Sequence, residues 1–317
     1  LVRLALAAAL LPAALQAAAA PKVIVVAALK GPSGIGMVRL FETPPSPADG
    51  SLVQMAAAPS ADLMMAKLVS GEYDAGVLPL NVAAKLYTSG IDLRLAAIVG
   101  DGMVSFLTSD PDIASLPDLR GKRIYVAGQG ATPDFLLRKL LKTQGLDPEK
   151  DLRLDYSLPY PEAAAALAAG KIVCAILPEP FATMARQANP SLRSPLDLGL
   201  LWTRATGEAS YPMTAFVVSG KLATERPAAV RTILESCAAS ITWVRDRPAE
   251  AGALVEKHEL GLKAGIAAKA IPRSAYVFRL AREARPGVEA LLGVFLDLAP
   301  ASVGGRLPGD GFYASFD

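Results

Sequence analysis

Two stretches about one hundred residues apart share one layout, and a chain duplicated in this way has few folds open to it. Lys22-Val23-Ile24-Val25-Val26-Ala27 matches Lys122-Arg123-Ile124-Tyr125-Val126-Ala127, and each is followed by a glycine-containing turn, GPSGIG in the first and GQGATPDF in the second. Further on, Gly71-Glu72-Tyr73-Asp74-Ala75-Gly76-Val77-Leu78-Pro79 resembles Gly170-Lys171-Ile172-Val173-Cys174-Ala175-Ile176-Leu177-Pro178. The unbroken β-branched run Val23 to Val26 is the pattern of a parallel strand covered on both faces. Two similar α/β units are implied, each leading from strand through turn to helix.

In open α/β sheets ligands sit at the carboxyl ends of strands. Four turns occupy that place: Lys30 to Gly34, Pro79 to Asn81, Gly128 to Asp134, and Pro178 to Phe181. The candidate ligand-binding residues are therefore Lys30, Ser33, Gly34, Pro79, Asn81, Gln129, Gly130, Thr132 and Glu179, with Tyr211 as a stacking surface beside Tyr160 and Trp202. Gly31, Gly34 and Gly36 let the backbone turn sharply, and Ser33 marks a helix start. Asn81 and Thr132 read as helix caps, a role that explains both residue types without a ligand. Pro133 then opens the second helix, and Asp134 lies where the helix dipole favours negative charge. KGPSGIGM lacks the dinucleotide spacing, and no GxxxxGK[ST] occurs, so a nucleotide site is not supported.

Composition narrows the partners. The chain has 317 residues, 52% hydrophobic and 20% charged, with 32 basic against 30 acidic side chains and a net charge of +2. That is room for two compact domains, and it points to neither nucleic acid nor an anionic membrane surface. Residues 1–19 read as a secretory signal peptide, with Arg3 ahead of an apolar run and Ala17 to Ala19 suited to cleavage. Cys174 and Cys237 are expected to be buried thiols, and His258 a solvated helix residue. With a single histidine and no paired Cys/His spacing, no metal site or cofactor is expected.

Along the chain, Ser60 caps a helix that Gly71 ends, and Leu93 to Ser109 forms two strands broken at Gly100-Asp101-Gly102. Asp110-Pro111 marks a domain crossing, and Tyr211 to Ser219 the return. Late helices begin at Thr224 and at Pro286 and cover the first unit. The expected organisation is a lobe of residues 20–109 and 216–317, with a second lobe of residues 110–215. The tail GGRLPGDGFYASFD is unplaced.

These segments resemble the type II periplasmic solute-binding proteins of ABC importers, in the branch of sulfonate, nitrate and thiamine-pyrimidine binders. LKGPSGIGM at 29 to 37, AKLVSGEYDAGVLPLNVAAKLY at 66 to 87, LRGKRIYVAGQGATPDFLLRKLLKTQGLDP at 119 to 148, GKIVCAILPEPFATMA at 170 to 185 and YPMTAFVVS at 211 to 219 carry the likeness. It implies a two-lobed α/β fold, each lobe a mixed, mostly parallel sheet flanked by helices, joined by a two-strand hinge. It also implies a periplasmic monomer without catalytic residues, which closes on a small-molecule ligand and delivers it to a membrane permease. The alternatives are a ligand-presenting sensor module for a membrane receptor and a pyrimidine-synthase-like enzyme, whose cysteine-rich iron motif has no counterpart here. Glu179 suggests a planar ligand with an amine or ring N–H, although Lys30 could equally neutralise it.

Overall fold

In the computed structural model, residues 22–126 and 128–316 are described. The signal-peptide segment 1–19 and Ala127 of the repeat lie outside the described residues. The first unit runs β1 (Val23–Leu29), α1 (Pro32–Ile35), β2 (Leu52–Ala58), α2 (Ala61–Ser70), β3 (Ala75–Pro79), α3 (Leu80–Thr88) and β4 (Leu93–Asp101). The second runs β5 (Val104–Thr108), β6 (Arg123–Val126), α4 (Thr132–Thr143), β7 (Arg153–Asp155), α5 (Tyr160–Ala168), β8 (Cys174–Pro178), α6 (Phe181–Ala188) and α7 (Leu198–Thr206). The chain ends with β9 (Pro212–Ser219), α8 (Gly220–Glu225), α9 (Pro227–Asp246), α10 (Pro248–Lys257), α11 (Ala264–Ala270), β10 (Tyr276–Leu280) and α12 (Ala281–Leu298).

Two sheets form, in the orders β10-β4-β9-β3-β1-β2 and β5-β8-β6-β7. The sequence repeat is a structural one. β1 lies parallel between β2 and β3, as β6 lies parallel between β7 and β8. An antiparallel strand then joins each, β9 against β3 and β5 against β8. β5 therefore belongs to the second sheet, and the passage between sheets falls at Gly102-Met103, ahead of the Asp110-Pro111 crossing expected from composition.

The predicted stripes are the buried ones. Ile24, Val26, Ala27 and Ala28 of β1 are fully buried, as are Val230, Ile233, Cys237 and Val244 of α9. Ser60 caps α2, accepting from the Leu63 N–H at 3.2 Å, and Gly71 ends it in the left-handed conformation. Cys174 and Cys237 are buried free thiols.

Two helix starts differ from expectation. Thr224 lies inside the short α8, which Ser219 caps by accepting from the Leu222 N–H, and the long helix opens at Pro227. Pro286 sits within α12, which begins at Ala281, where Glu283 accepts the Leu280 N–H. A proline near a helix start carries no sign of whether a further turn precedes it. The tail is placed by a bridge between Tyr313 and Leu95, with the Ala314 N–H donating to the Leu95 carbonyl at 2.9 Å.

Candidate functional site

Strand register gathers the turns. In the first sheet Pro79 pairs with Thr214, Thr214 with Gly100, and Gly100 with Tyr276, so four strands end or begin in one row. In the second sheet Val104 pairs with Pro178 at the same end as the turn that follows β6. Asp101 to Val104 joins the two rows, and the Glu179 N–H donates to the Met103 carbonyl at 2.8 Å. The carboxyl ends of β1, β3, β6 and β8 thus converge around the crossing segment.

On the first sheet, Lys30 follows β1 with its N–H donated to the Ala58 carbonyl, and its ammonium has no ion pair among the described residues. Ser33 is half-buried inside α1, and the helix cap is Gly31 at φ +95°. Gly34 has a packing role, since a Cβ there would lie 2.2 Å from the Leu29 carbonyl oxygen. Pro79 occupies the cap position of α3 and Asn81 is its second residue, so Asn81 does not cap. β3 runs into α3 with no connecting residue, which leaves no loop for a capping side chain.

On the second sheet, Gln129 is exposed and Gly130 half-buried at φ +76°. Thr132 is the first residue of α4, and Ala131 stands at the cap position without a side-chain bond. Asp134 does the capping instead, accepting from the Gly130 N–H at 2.8 Å through Oδ2. Its Oδ1 accepts from Arg138 Nε at 2.7 Å and from the Tyr156 hydroxyl at 2.8 Å. Tyr160 stacks on Phe181 with centroids 5.4 Å apart, and burial, helped by the Asp134 charge, pushes its hydroxyl up to about 12. A Cβ on Gly128 would lie 2.9 Å from that hydroxyl, so only glycine lets the turn pass so close.

Tyr211 is 1% exposed and packs edge-on against Trp202 at 5.8 Å, with Gly102 against its ring. It belongs to the core beside the crossing and offers no free face for stacking. Glu179 is likewise 1% exposed. Its Oε2 accepts the Thr183 N–H at 3.0 Å and its Oε1 accepts from Arg186 Nη1 at 3.3 Å, so Lys30 is not its partner.

The reading of the sequence missed Asp101, Thr183, Arg186, Thr214 and Tyr276. Asp101 is buried and accepts from Arg279 Nη2 at 2.7 Å; burial raises its pKa while the Arg279 charge opposes the rise. Arg279 and Tyr276 were hidden because β10 is an edge strand with no turn signal ahead of it. Arg186 was within reach, since positions 179, 183 and 186 share one face across the start of a helix. One pattern covers the three buried acids among the described residues: Asp101, Asp134 and Glu179 each hold their own arginine.

His258 lies away from this region. It packs on Phe41 at 5.1 Å and pairs with Glu42, whose carboxyl Lys257 and then His258 hold below its usual range. It is thus partnered rather than simply solvated. Among the described residues no group of three or more His, Cys, Asp or Glu is placed to hold a metal ion, and no helix is long and apolar enough to cross a membrane.

Comparison with known proteins agrees with this fold. A crystal structure of an ABC transporter from Parabacteroides distasonis is 31% identical, covering 93% of this chain and 99% of that one with a TM-score of 0.79. The periplasmic aliphatic sulphonate binding protein SsuA from Escherichia coli has the same fold at 20% identity, covering 90% of this chain and 96% of its own, TM-score 0.71. The periplasmic nitrate-binding protein NrtA from Synechocystis PCC 6803 shares it at 13% identity, covering 90% and 84%, TM-score 0.60. No curated protein matches the sequence. The sequence profile of the NMT1-like family matches residues 40–257, well over half of the chain, and the chain belongs to that family.

Proposed function

We propose that this chain is the extracytoplasmic substrate-binding component of an ABC importer, holding a small polar solute between its two sheets and delivering it to a membrane permease. The observation that carries the reading is the convergence of both sets of strand ends on Asp101 to Val104, with two sequence-related turns on each side. Sheet membership supports lobes that meet at Gly102-Met103 and Tyr211-Pro212, a few residues from the boundaries drawn from sequence. Hinge motion about these crossings would bring the turns together on the solute, which favours the closed form by its extra contacts there.

Glu179 loses its place as the acid that meets an amine. Asp101, Asp134 and Glu179 are each engaged by an arginine, so none of these three buried acids is free to meet a cationic solute, and Lys30 at the end of β1 makes no ion pair among the described residues. This favours a neutral or acidic solute over a pyrimidine amine. Of the remaining candidates, Lys30, Ser33, Asn81, Gln129 and Thr132 would supply the polar rim, with Pro79 and Gly130 shaping the turns.

Mass spectrometry of small molecules released from the purified, exported protein would name the solute. A thermal-shift panel of sulfonates, carboxylates, nitrate and pyrimidines tests its class. A ligand at about one hundred times its dissociation constant adds about 2.7 kcal/mol, and X-ray scattering should show a more compact bound form. No released solute, no stabilisation by any member of the panel and an unchanged radius would overturn the reading.

A further inference from the structure

Among the described residues four strands edge the two sheets, β10 and β2 in the first, β5 and β7 in the second. An edge strand offers unpaired N–H and C=O groups to any other chain, and proteins usually blunt it with charge, proline, a bulge or shortness. Three of the four edges carry such a device. β10 shifts register between Tyr276 and Arg279 and carries that arginine. β7 has three residues, Arg153-Leu154-Asp155, two of them charged. β5 is bridged at Thr108 by Arg193, through backbone bonds of 3.0 and 2.9 Å in the two directions.

β2 carries none. It reads Leu52-Val53-Gln54-Met55-Ala56-Ala57-Ala58, without charge or proline, and its register with β1 runs unbroken over all seven residues. The Leu52 N–H donates to the Lys22 carbonyl and the Lys30 N–H to the Ala58 carbonyl, so the even-numbered residues of β2 bond β1. The N–H and C=O groups of Val53, Met55 and Ala57 therefore point outward, and they have no hydrogen-bond partner among the described residues. The surroundings are apolar as well. Leu52 is 55% exposed and Val23, paired with it on β1, 46%. On α2, which packs on β1, β2 and β3, Met64 and Leu68 are buried, and the exposed residues are Asp62, Leu63, Ala66, Val69 and Ser70. Only one of those five is charged, where a solvated helix face is ordinarily charged or polar throughout.

We propose that β2 is a self-association edge, to which a second copy of this chain adds its own β2 antiparallel about a two-fold axis at Met55. The outward groups set that register. Met55 exchanges both bonds with Met55 of the second copy, and Val53 exchanges both with Ala57 of the second copy, so every outward group is matched. The side chains fit the same register: Leu52 stands opposite Ala58, Val53 opposite Ala57 and Gln54 opposite Ala56, the larger against the smaller each time. This self-complementarity commits the edge to a second copy rather than to a strand of another protein. The contact is closed, because each copy covers its one unguarded edge, and the assembly stops at a dimer. Since β1 runs parallel to β2, the carboxyl strand ends of the two copies point in opposite directions and both clefts stay open to solute. A reversible dimer departs from the monomer that the resemblance implies.

Sedimentation equilibrium of the purified, exported protein over a wide concentration range tests this, and should fit a reversible monomer–dimer equilibrium with no larger species. Met55→Lys sets two like charges against each other on the two-fold axis and should raise the dimer dissociation constant roughly tenfold or more. Met55→Cys tests the register itself and decides the matter even if the lysine variant does not fold. Cys174 and Cys237 are buried, so a disulfide-linked dimer under mild oxidation reports two position-55 side chains meeting. Val173→Cys, at an exposed position ahead of β8, should stay unlinked under the same conditions. A monomer at every concentration, a dimer whose affinity Met55→Lys leaves unchanged, or no more cross-linking at position 55 than at position 173 would overturn the proposal.

Discussion

Phe135 of α4 and Phe295 of α12 meet edge to face, their ring centroids 4.6 Å apart. α4 belongs to the second sheet's layer, while α12 packs on β4, β9 and β10 of the first. Both rings are buried, at 4% and 1% exposure, so this pair is a piece of core shared between the two units. Phe295→Ala should therefore cost about 3–5 kcal/mol, the range for emptying a buried aromatic site. If the pair also couples the units, urea unfolding of the variant should split into two transitions. A loss under 1 kcal/mol would show that the contact is dispensable.

Gly34 separates a packing role from a ligand role. Within α1 an alanine would be favoured by about 1 kcal/mol on helix propensity alone. Its Cβ would, however, meet the Leu29 carbonyl oxygen at 2.2 Å and the Ala28 Cβ at 3.2 Å, both fixed by β1. The clash outweighs the propensity, and Gly34→Ala should lose about 2–4 kcal/mol in solute-free protein. Unchanged chemical-denaturation stability with weakened solute binding would return Gly34 to the list of ligand contacts.

The same residue shows what the sequence could and could not reveal. The repeat located β1, β3, β6 and β8, because β-branched runs and the glycines after them depend on local physics, while β2 and β7 lie outside the matched segments and β2 went unread. It also located the four turns. It did not reveal which side chains face the cleft, because that depends on partners far along the chain: Arg279 for Asp101, Tyr156 for Asp134. Residue type read Asn81 and Thr132 as caps, whereas β3 runs directly into α3 and leaves Asn81 inside the helix, and in α4 Thr132 is the first helical residue and Asp134 bonds the turn from within the helix. Tyr211 read as a platform for stacking, and only the packing of Trp202 against it reveals a core residue.

The Asp134 network gives a ranked prediction. Its carboxylate serves the Gly130 N–H, Arg138 and the Tyr156 hydroxyl at once, while Tyr156 also accepts from Arg138 Nη2 at 2.7 Å. Asp134→Asn removes the charge that a mostly buried arginine relies on, although Arg138 keeps Glu149. A loss of about 2–3 kcal/mol is expected. Tyr156→Phe removes one hydroxyl and should cost about 1 kcal/mol. The double variant should lose less than the sum, as groups in one network do. Strict additivity in urea melts would mean that the two residues act independently.

The last prediction concerns alkaline stability. Burial pushes the Cys237 thiol up to about 12 and the Tyr160 hydroxyl up to about 12, the latter with help from the Asp134 charge. In the unfolded chain the same groups ionise near 9.0 and 10.0. Between those limits the unfolded state releases protons that the folded state keeps, so the slope of stability against pH is negative. The contribution is fully present below pH 9 and is lost as pH rises toward 12. A shift of this size in one group corresponds to on the order of 3 kcal/mol. Urea unfolding at pH 8, 9, 10 and 11 should show steepening loss, and Cys237→Ala, which leaves no thiol to ionise, should flatten its early part. Cys237 should also resist alkylation at pH 9 until the protein is unfolded. A rapidly alkylated native thiol, or a stability curve level to pH 11, would contradict the burial assigned to these two groups.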